Sequence, residues 1–258
     1  MQYSELHCIT NFTFLRGASH PYELVNTASK LGYKALAITD ECSLSGIVKA
    51  HVAASKKNLQ LIIGSEFKIE SHKIIILVTN RDSYSKLSSL ITLARRRSKK
   101  GKYQIRWSDL KFNNDGLLIL WIPCGDLTKD TLIASQLHEW FDQRLWIAFH
   151  NVLNGNETCR LSYLQNLSIS WKIQIVACGD IHMHRKNRQL LQDTLTAIRE
   201  GCSLMELGKF RYPNCERYLR KINYLKEIYP SELINETTKI SRLCRFSLNE
   251  LHYEYPLE

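Results

Sequence analysis

Six short apolar runs, ALAIT (35–39), LQLIIG (59–64), KIIILV (73–78), GLLILWI (116–122), RLWIAF (144–149) and IQIVAC (173–178), recur along the chain. Runs of this length and continuity read as strands buried on both faces, the pattern of parallel sheets. Between them lie helix-patterned segments such as HPYELVNTASKLG, SGIVKAHVAASKKN, SYSKLSSLITLARRRSKK and CRLSYLQNLSIS. Repeated βα units of this kind fold as an α/β barrel or as an open doubly wound sheet. LHCIT, near the start, brings His7 into a candidate first strand.

Such folds place their chemistry at the carboxyl ends of the strands. There the sequence repeats one theme. ALAIT is followed by Asp40 and Glu41, LQLIIG by Ser65 and Glu66, and RLWIAF by His150. IQIVAC is followed by GDIHMH, which sets Asp180, His182 and His184 at alternate positions. Read alone, GDIHMH is either half of a metal site or a polar strand end. The recurrence of carboxylates and imidazoles at equivalent strand ends favours a shared pocket.

At 258 residues and 44% hydrophobic, the chain can bury a full core, which excludes a disordered tail protein. A formal charge of +10 favours association with a polyanion such as nucleic acid, against the alternative of a basic but inert surface. Eight cysteines without a CxxC pair, behind a start that resembles no signal sequence, give the expectation of reduced thiols in a cytoplasm. No apolar run reaches the ~18 to 20 residues of a membrane helix. No membrane partner is expected.

From Arg211 onward the pattern changes to two or three amphipathic helical segments punctuated by Pro213, Pro230 and Pro256. Ser231, directly after Pro230, suits a helix N-cap, and Ser19 or His20 suits the cap of a helix starting at Pro21. This last segment reads as an appendage or junction, and its end at YEYPLE gives the expectation that something follows.

Taken together, ELHCITNFTFLRGASHP, ALAITDECSLSGIVKAH, IIGSEFKI, LITLARRRSKKGKY, CGDIHMHRKNRQLLQDTLTAIREG and CRFSLNELHYEYP resemble the N-terminal segment of bacterial error-prone DNA polymerases, the translesion branch of the C family. The likeness runs in order from Tyr3 to about Pro256. It implies that residues 1–205 form a polymerase-and-histidinol-phosphatase (PHP) domain, a distorted seven-stranded βα barrel. Residues 206–258 would then be a short helical connector leading toward a polymerase module. Palm, thumb and fingers lie outside these residues, so the chain is expected to be a truncated remnant or half of a split enzyme, with the module supplied in cis or as a separate chain.

The resemblance also implies a His, Asp and Glu cluster that binds up to three divalent metals for phosphoester hydrolysis. Imidazole and carboxylate donors suit such ions, which generate hydroxide at neutral pH. Several of those positions are changed here. The His-x-His motif reads His7-Cys8-Ile9, and the Asp expected before Gly17 is Arg16, whose charge opposes a cation. Thr-Asp-His reads Thr39-Asp40-Glu41, and the His of the following strand falls at Lys73. His72 is adjacent, but a shift of one residue turns a strand side chain to the opposite face. Glu66 and the final Asp-x-His, Asp180 and His182, are kept.

His7, Glu66, Asp180 and His182 therefore remain as candidate ligands, with Asp40 or Glu41 as additions. If they converge they could hold one divalent metal (Zn, Mn or Mg), the alternative being an empty polar pocket, and a trinuclear hydrolytic centre is not expected. His184 shares the side of His182 only if the strand continues that far. Arg95, Arg96, Arg97, Lys99 and Lys100, with Tyr103 nearby, are candidate contacts to a nucleic-acid backbone, as are Arg185 and Lys186. The bland reading of the first cluster is a solvated helix end that suits the dipole.

The favoured function is the structural and interaction domain of an error-prone polymerase, with DNA, the polymerase module and other mutagenic-repair proteins as partners. The alternative is a metal-dependent phosphoesterase using the residual ligands.

Overall fold

A computed structural model describes residues 2–112 and 114–251. Pro256 and the terminal YEYPLE lie outside the described residues. Seven strands form one sheet in sequence order: β1 (Ser4–Glu5), β2 (Ala35–Ile38), β3 (Gln60–Ile69), β4 (His72–Val78), β5 (Leu117–Ile122), β6 (Leu145–His150) and β7 (Gln174–Cys178). Past the end of β1, Ile9 N–H donates to Ile181 O at 2.9 Å and Ile181 N–H to His7 O at 3.0 Å. These bonds bring the first and last strands together, so the sheet is a nearly closed barrel.

The helices are α1 (Pro21–Lys30), α2 (Ile47–Ala54), α3 (Arg81–Arg96), α4 (Ser108–Lys111), α5 (Leu127–Phe141), α6 (Glu157–Trp171), α7 (Gln189–Glu200), α8 (Ile222–Ile228) and α9 (Ser231–Leu243). Their starts follow local chemistry. Pro21 sits in the first turn of α1, where its missing N–H costs nothing. Asn80 Oδ1 accepts from Ser83 N–H at the head of α3, and Asp126 Oδ1 from Thr128 N–H at the head of α5.

The apolar runs are not all parallel strands. β4 runs antiparallel to both β3 and β5, whereas the other pairings are parallel. Only Glu70 and Ser71 separate β3 from β4, far too few residues for a parallel crossover. Glu70 takes the left-handed conformation, φ +54°, to make that turn.

Alternation along each strand divides the core into two shells. Ala35, Ala37, Ile62, Ile75, Leu77, Leu118, Leu120, Trp146, Ala148, Val176 and Cys178 fill the barrel. Leu36, Ile38, Ile63, Ile74, Ile76, Ile119, Trp121, Ile147 and Ala177 face the helices.

The C-terminal segment is built into this core. Ile240 and Cys244 belong to the barrel interior. Ser4 N–H donates to Thr237 Oγ1 at 3.1 Å, Trp146 Nε1–H to Glu236 Oε1 at 3.0 Å, and Tyr229 OH to Cys178 O at 2.6 Å. The expected appendage is thus packed on the barrel, because α9 carries apolar residues that the barrel end leaves unfilled. Ser231 is the first residue of α9 and Pro230 precedes it as the cap position, so Ser231 does not cap. At α1, His20 occupies the cap position and its N–H donates to Glu23 Oε2 at 2.9 Å.

Candidate metal centre

Strand parity decides which side chains meet at the carboxyl end of the barrel. Continuing the interior series Ile62, Gly64 places Glu66 inside, and Leu77, Ile75 places Lys73 inside. Trp146, Ala148 leads to His150, and Val176, Cys178 to Asp180. His72, one residue off, faces outward, where Nε2 lies 2.9 Å from Asp130 Oδ1.

His7 is central and fully buried. Its Nε2 lies 2.7 Å from Glu66 Oε2, and its Nδ1 lies 3.1 Å from His150 Nε2 and 3.6 Å from Asp180 Oδ1. Burial holds His7 below the ordinary imidazole range. A neutral ring that donates Nε2–H to Glu66 accepts at Nδ1, so His150 Nε2–H is the donor to it. Burial, reinforced by His7 and Arg217, holds His150 well below its usual range. His182 is held low by burial and by Arg16, and its Nε2 lies 3.2 Å from Asp180 Oδ1.

Three cations share this space. Arg16 Nη1 donates to Glu66 Oε1 at 2.8 Å and also pairs with Glu41. Lys73 Nζ lies 3.5 Å from Glu66 Oε2, and Arg217 pairs with Asp180. Burial alone would raise the Glu66 carboxyl, but Lys73 and Arg16 hold it well below the carboxylate range.

The backbone fixes these positions. A Cβ on Gly17 would sit 1.9 Å from Thr10 O, so only glycine lets the loop bearing Arg16 fold back this tightly. Gln192 Nε2–H donates to Arg16 O at 2.8 Å. Asp180 takes φ +48°, a left-handed conformation that Asp tolerates, directly after β7. Arg217 O accepts from His182 N–H at 3.0 Å and Met183 N–H at 3.1 Å, which lays the Arg217 segment across the site.

Asp40 lies outside the cluster. Its carboxylate accepts from Thr10 N–H at 2.7 Å, Thr10 Oγ1 at 2.8 Å and Thr13 Oγ1 at 2.6 Å, and it braces that loop. Glu41 is at the rim, held by Arg16 and by Tyr103 OH at 2.8 Å. His184 is buried, with Nδ1 2.8 Å from Ser19 Oγ.

The basic candidates divide. Arg95 is a brace, donating to Glu41 O at 3.2 Å and Cys42 O at 3.1 Å. Arg97 pairs with Asp109, while Arg96, Lys99 and Lys100 are exposed. Arg185 and Lys186 are exposed on another loop, with Lys186 Nζ 3.2 Å from Glu216 Oε1. Among the described residues, no helix is long and apolar enough to cross a membrane.

Two residues of the site, His150 and Arg217, were missing from the candidate set. His150 was visible as a polar strand end, but Arg217 gave no signal because its segment returns to the site from beyond α7.

His7, Glu66 and Asp180 each offer a ligand atom within 4.8 Å of the others, the minimum for one divalent ion. A polynuclear centre does not fit, because Arg16 and Lys73 engage both oxygens of Glu66 and Arg217 engages Asp180. A single ion would compete with those cations for the same carboxylates.

Comparison with known proteins places this geometry. The chain is 47% identical over 258 residues to the error-prone DNA polymerase of Methylococcus capsulatus, covering 99% of this chain and 24% of the relative. It is also 47% identical over 257 residues to that of Pseudomonas fluorescens, covering 99% and 25%. The chain thus spans about a quarter of the length of these relatives. A presumed metal-dependent phosphoesterase from Bifidobacterium adolescentis shares the fold, with TM-score 0.54 and 17% identity, over 88% of this chain and 95% of that one. An amidohydrolase from Chromobacterium violaceum does so with TM-score 0.54 and 14% identity, over 70% and 87%. The PHP domain model matches residues 5–143, more than half of the sequence, and this chain belongs to the PHP domain family.

Proposed function

We propose that this chain is the PHP portion of an error-prone, translesion DNA polymerase, acting as a structural and interaction module whose metal centre has been replaced by ion pairs. The observation that carries this reading is Arg16 Nη1 at 2.8 Å from Glu66 Oε1, with Lys73 on the other oxygen of the same buried carboxylate. Fixed cations satisfy charge that a metal would otherwise neutralise, and they leave no position for a bound hydroxide.

On this reading residues 1–205 are the PHP domain and 206–258 the connector, with the polymerase module in cis or on a separate chain. Its setting is DNA repair and replication in the cytoplasm, with DNA and other mutagenic-repair proteins as partners. His7, Glu66, Asp180 and His182 are residual ligands without a catalytic role. Nothing in the donor set selects Zn over Mn or Mg.

Two measurements test the proposal. The isolated chain, incubated with Zn, Mn or Mg, is expected to retain less than one ion per molecule and to hydrolyse neither pyrophosphate nor a phosphomonoester. Stoichiometric metal together with turnover would establish the phosphoesterase instead. A chimera in which this chain replaces the matching quarter of the Methylococcus capsulatus enzyme is expected to keep DNA synthesis.

A further inference from the structure

Helix α7 is built inside out. Its buried residues are Gln192, Asp193, Thr196 and Ala197, three of them polar. Leu190 is 67% exposed and Ile198 60% exposed, with Leu191 also in solvent. An amphipathic helix in a self-sufficient domain turns its apolar stripe to the core, and this one turns it away.

The inward polar face is tied down by hydrogen bonds, with Gln192 Oε1 a buried atom left without a partner among the described residues. Gln192 Nε2–H donates to Arg16 O at 2.8 Å, and Thr196 Oγ1 donates to Gln192 O at 2.9 Å. Asp193 accepts from Arg211 and from Gln189, each at 2.7 Å. The helix cannot rotate to bury its leucines without breaking these bonds and releasing the loop that holds Arg16. The outward stripe is therefore fixed. Beside it a cavity of about 240 Å³ is lined in part by Phe14, Leu15, Leu191 and Leu195, along with the polar His20 and Arg188. The apolar exposure continues into the 3₁₀ turn Leu204–Glu206 packed against α7, where Met205 is 96% exposed.

Among the described residues, six of the seventeen large exposed hydrophobics fall within residues 190–210. Three of the six lie on α7 and three in the turns that follow it. Scattered singly, such residues need no explanation, but a concentration on one stretch of chain marks a surface that another protein covers. We infer that the outward face of α7, with Phe14 and the cavity beside it, is the docking surface for the polymerase module. This rests on the proposed function. The relatives supply the occupant, because they carry about three times as much polypeptide again beyond the quarter matched here.

Hydroxyl-radical footprinting of the isolated chain and of the Methylococcus capsulatus chimera tests this. Oxidation of Leu190 and Ile198 is expected to fall at least fivefold in the chimera. Ile169, 77% exposed on α6, is the internal reference and keeps its rate. In the chimera, L190E/I198E is expected to abolish the protection, read at Leu191 and Met205 of the same face, while in the isolated chain the same pair leaves the melting temperature unchanged. Equal oxidation in the two proteins, in a chimera that synthesises DNA, would overturn the docking face and leave the functional reading standing. A chimera that folds but makes no DNA would overturn that reading, and the inference with it. Protection already present in the isolated chain, with sedimentation as a dimer, would assign the face to a second copy and overturn the inference.

Discussion

Arg16 Nη1 lies 2.8 Å from Oε1 of the wholly buried Glu66, at the carboxyl end of a barrel whose relatives in fold include a presumed metal-dependent phosphoesterase. The guanidinium is the cation closest to that carboxylate. It offsets the charge in a low-dielectric site, where an unpaired carboxylate is strongly disfavoured.

Removing that guanidinium leaves Glu66 buried with Lys73 and His7 as its remaining partners. Breaking one side of a buried pair costs about 3 kcal/mol or more. Arg16→Ala is therefore expected to lower the melting temperature by ~6 to 12 °C, measured by thermal unfolding at pH 7. An unchanged melting temperature would mean that Lys73 alone satisfies Glu66.

Restoring the missing donors should restore metal binding. Arg16→Asp with Lys73→His removes two cations from Glu66 and adds a carboxylate and an imidazole at positions already aimed at the site. Carboxylates brought together repel one another unless a cation joins them. The double variant is expected to bind Mn²⁺ at least tenfold more tightly than the natural chain in a calorimetric titration. Equal affinity would show that Arg217 on Asp180 is sufficient to exclude the ion.

The buried imidazoles give the fold an acid limit. His7, His150 and His182 are all held low by burial, so the unfolded chain takes up protons that the folded chain refuses. Their contribution is fully present above the unfolded value of about 6.5 and is lost as pH falls below it, at up to ~1.4 kcal/mol per pH unit for each ring. Glu5 and Asp40, whose carboxyls burial pushes up, act with the opposite sign in acid. His150→Asn isolates one imidazole from them and should lower the slope of stability between pH 6.5 and 5 by about one such increment. Urea unfolding at several pH values reads it, and a slope unaltered by the variant would place a proton on His150 in the folded state.

How much of this was legible turns on distance along the chain. The resemblance set Lys73 at a site position and the period of two put His72 on the opposite face, and the structure has them so. The same apolar continuity could not tell the antiparallel β4 from a parallel strand, because burial on both faces gives one pattern for either direction. The two-residue gap at Glu70 and Ser71 was the available signal. Helix α5 went unread because its apolar positions are diluted by Lys129, Asp130 and Gln136. Arg217 was unreadable in principle. Its place over Asp180 depends on the return of the segment after α7, and α7 itself defies the rule that apolar residues point inward.

The basic cluster after α3 should separate into two roles. Arg96, Lys99 and Lys100 are exposed, while Arg95 is bonded to the carbonyls of Glu41 and Cys42. If the cluster meets nucleic acid, charge reversal at Arg96, Lys99 and Lys100 weakens binding of single-stranded DNA and flattens its salt dependence by about 0.7 for each phosphate no longer neutralised. Arg95→Ala should instead lower thermal stability. Fluorescence anisotropy across a salt series distinguishes the two, and an unchanged salt slope in the triple variant would reduce the cluster to a solvated helix end.

The last helix should prove as necessary to the barrel as any strand. Ile240 is fully buried among the interior residues, and Thr237 Oγ1 accepts the Ser4 N–H of β1. Truncating a buried Ile leaves a cavity that costs about 2 to 5 kcal/mol. Removing the β1 bond costs about 1 to 3 kcal/mol if the buried N–H is left unpartnered. Ile240→Ala is expected to fall in the first range, and Thr237→Val near the second, in chemical denaturation with an unaltered denaturant slope. The two positions lie one helical turn apart on the same face, so the double variant should lose less than the sum, since loosening α9 at either one weakens its hold at the other. Strict additivity, or losses below about 0.5 kcal/mol, would mean that α9 rests on the barrel without closing it.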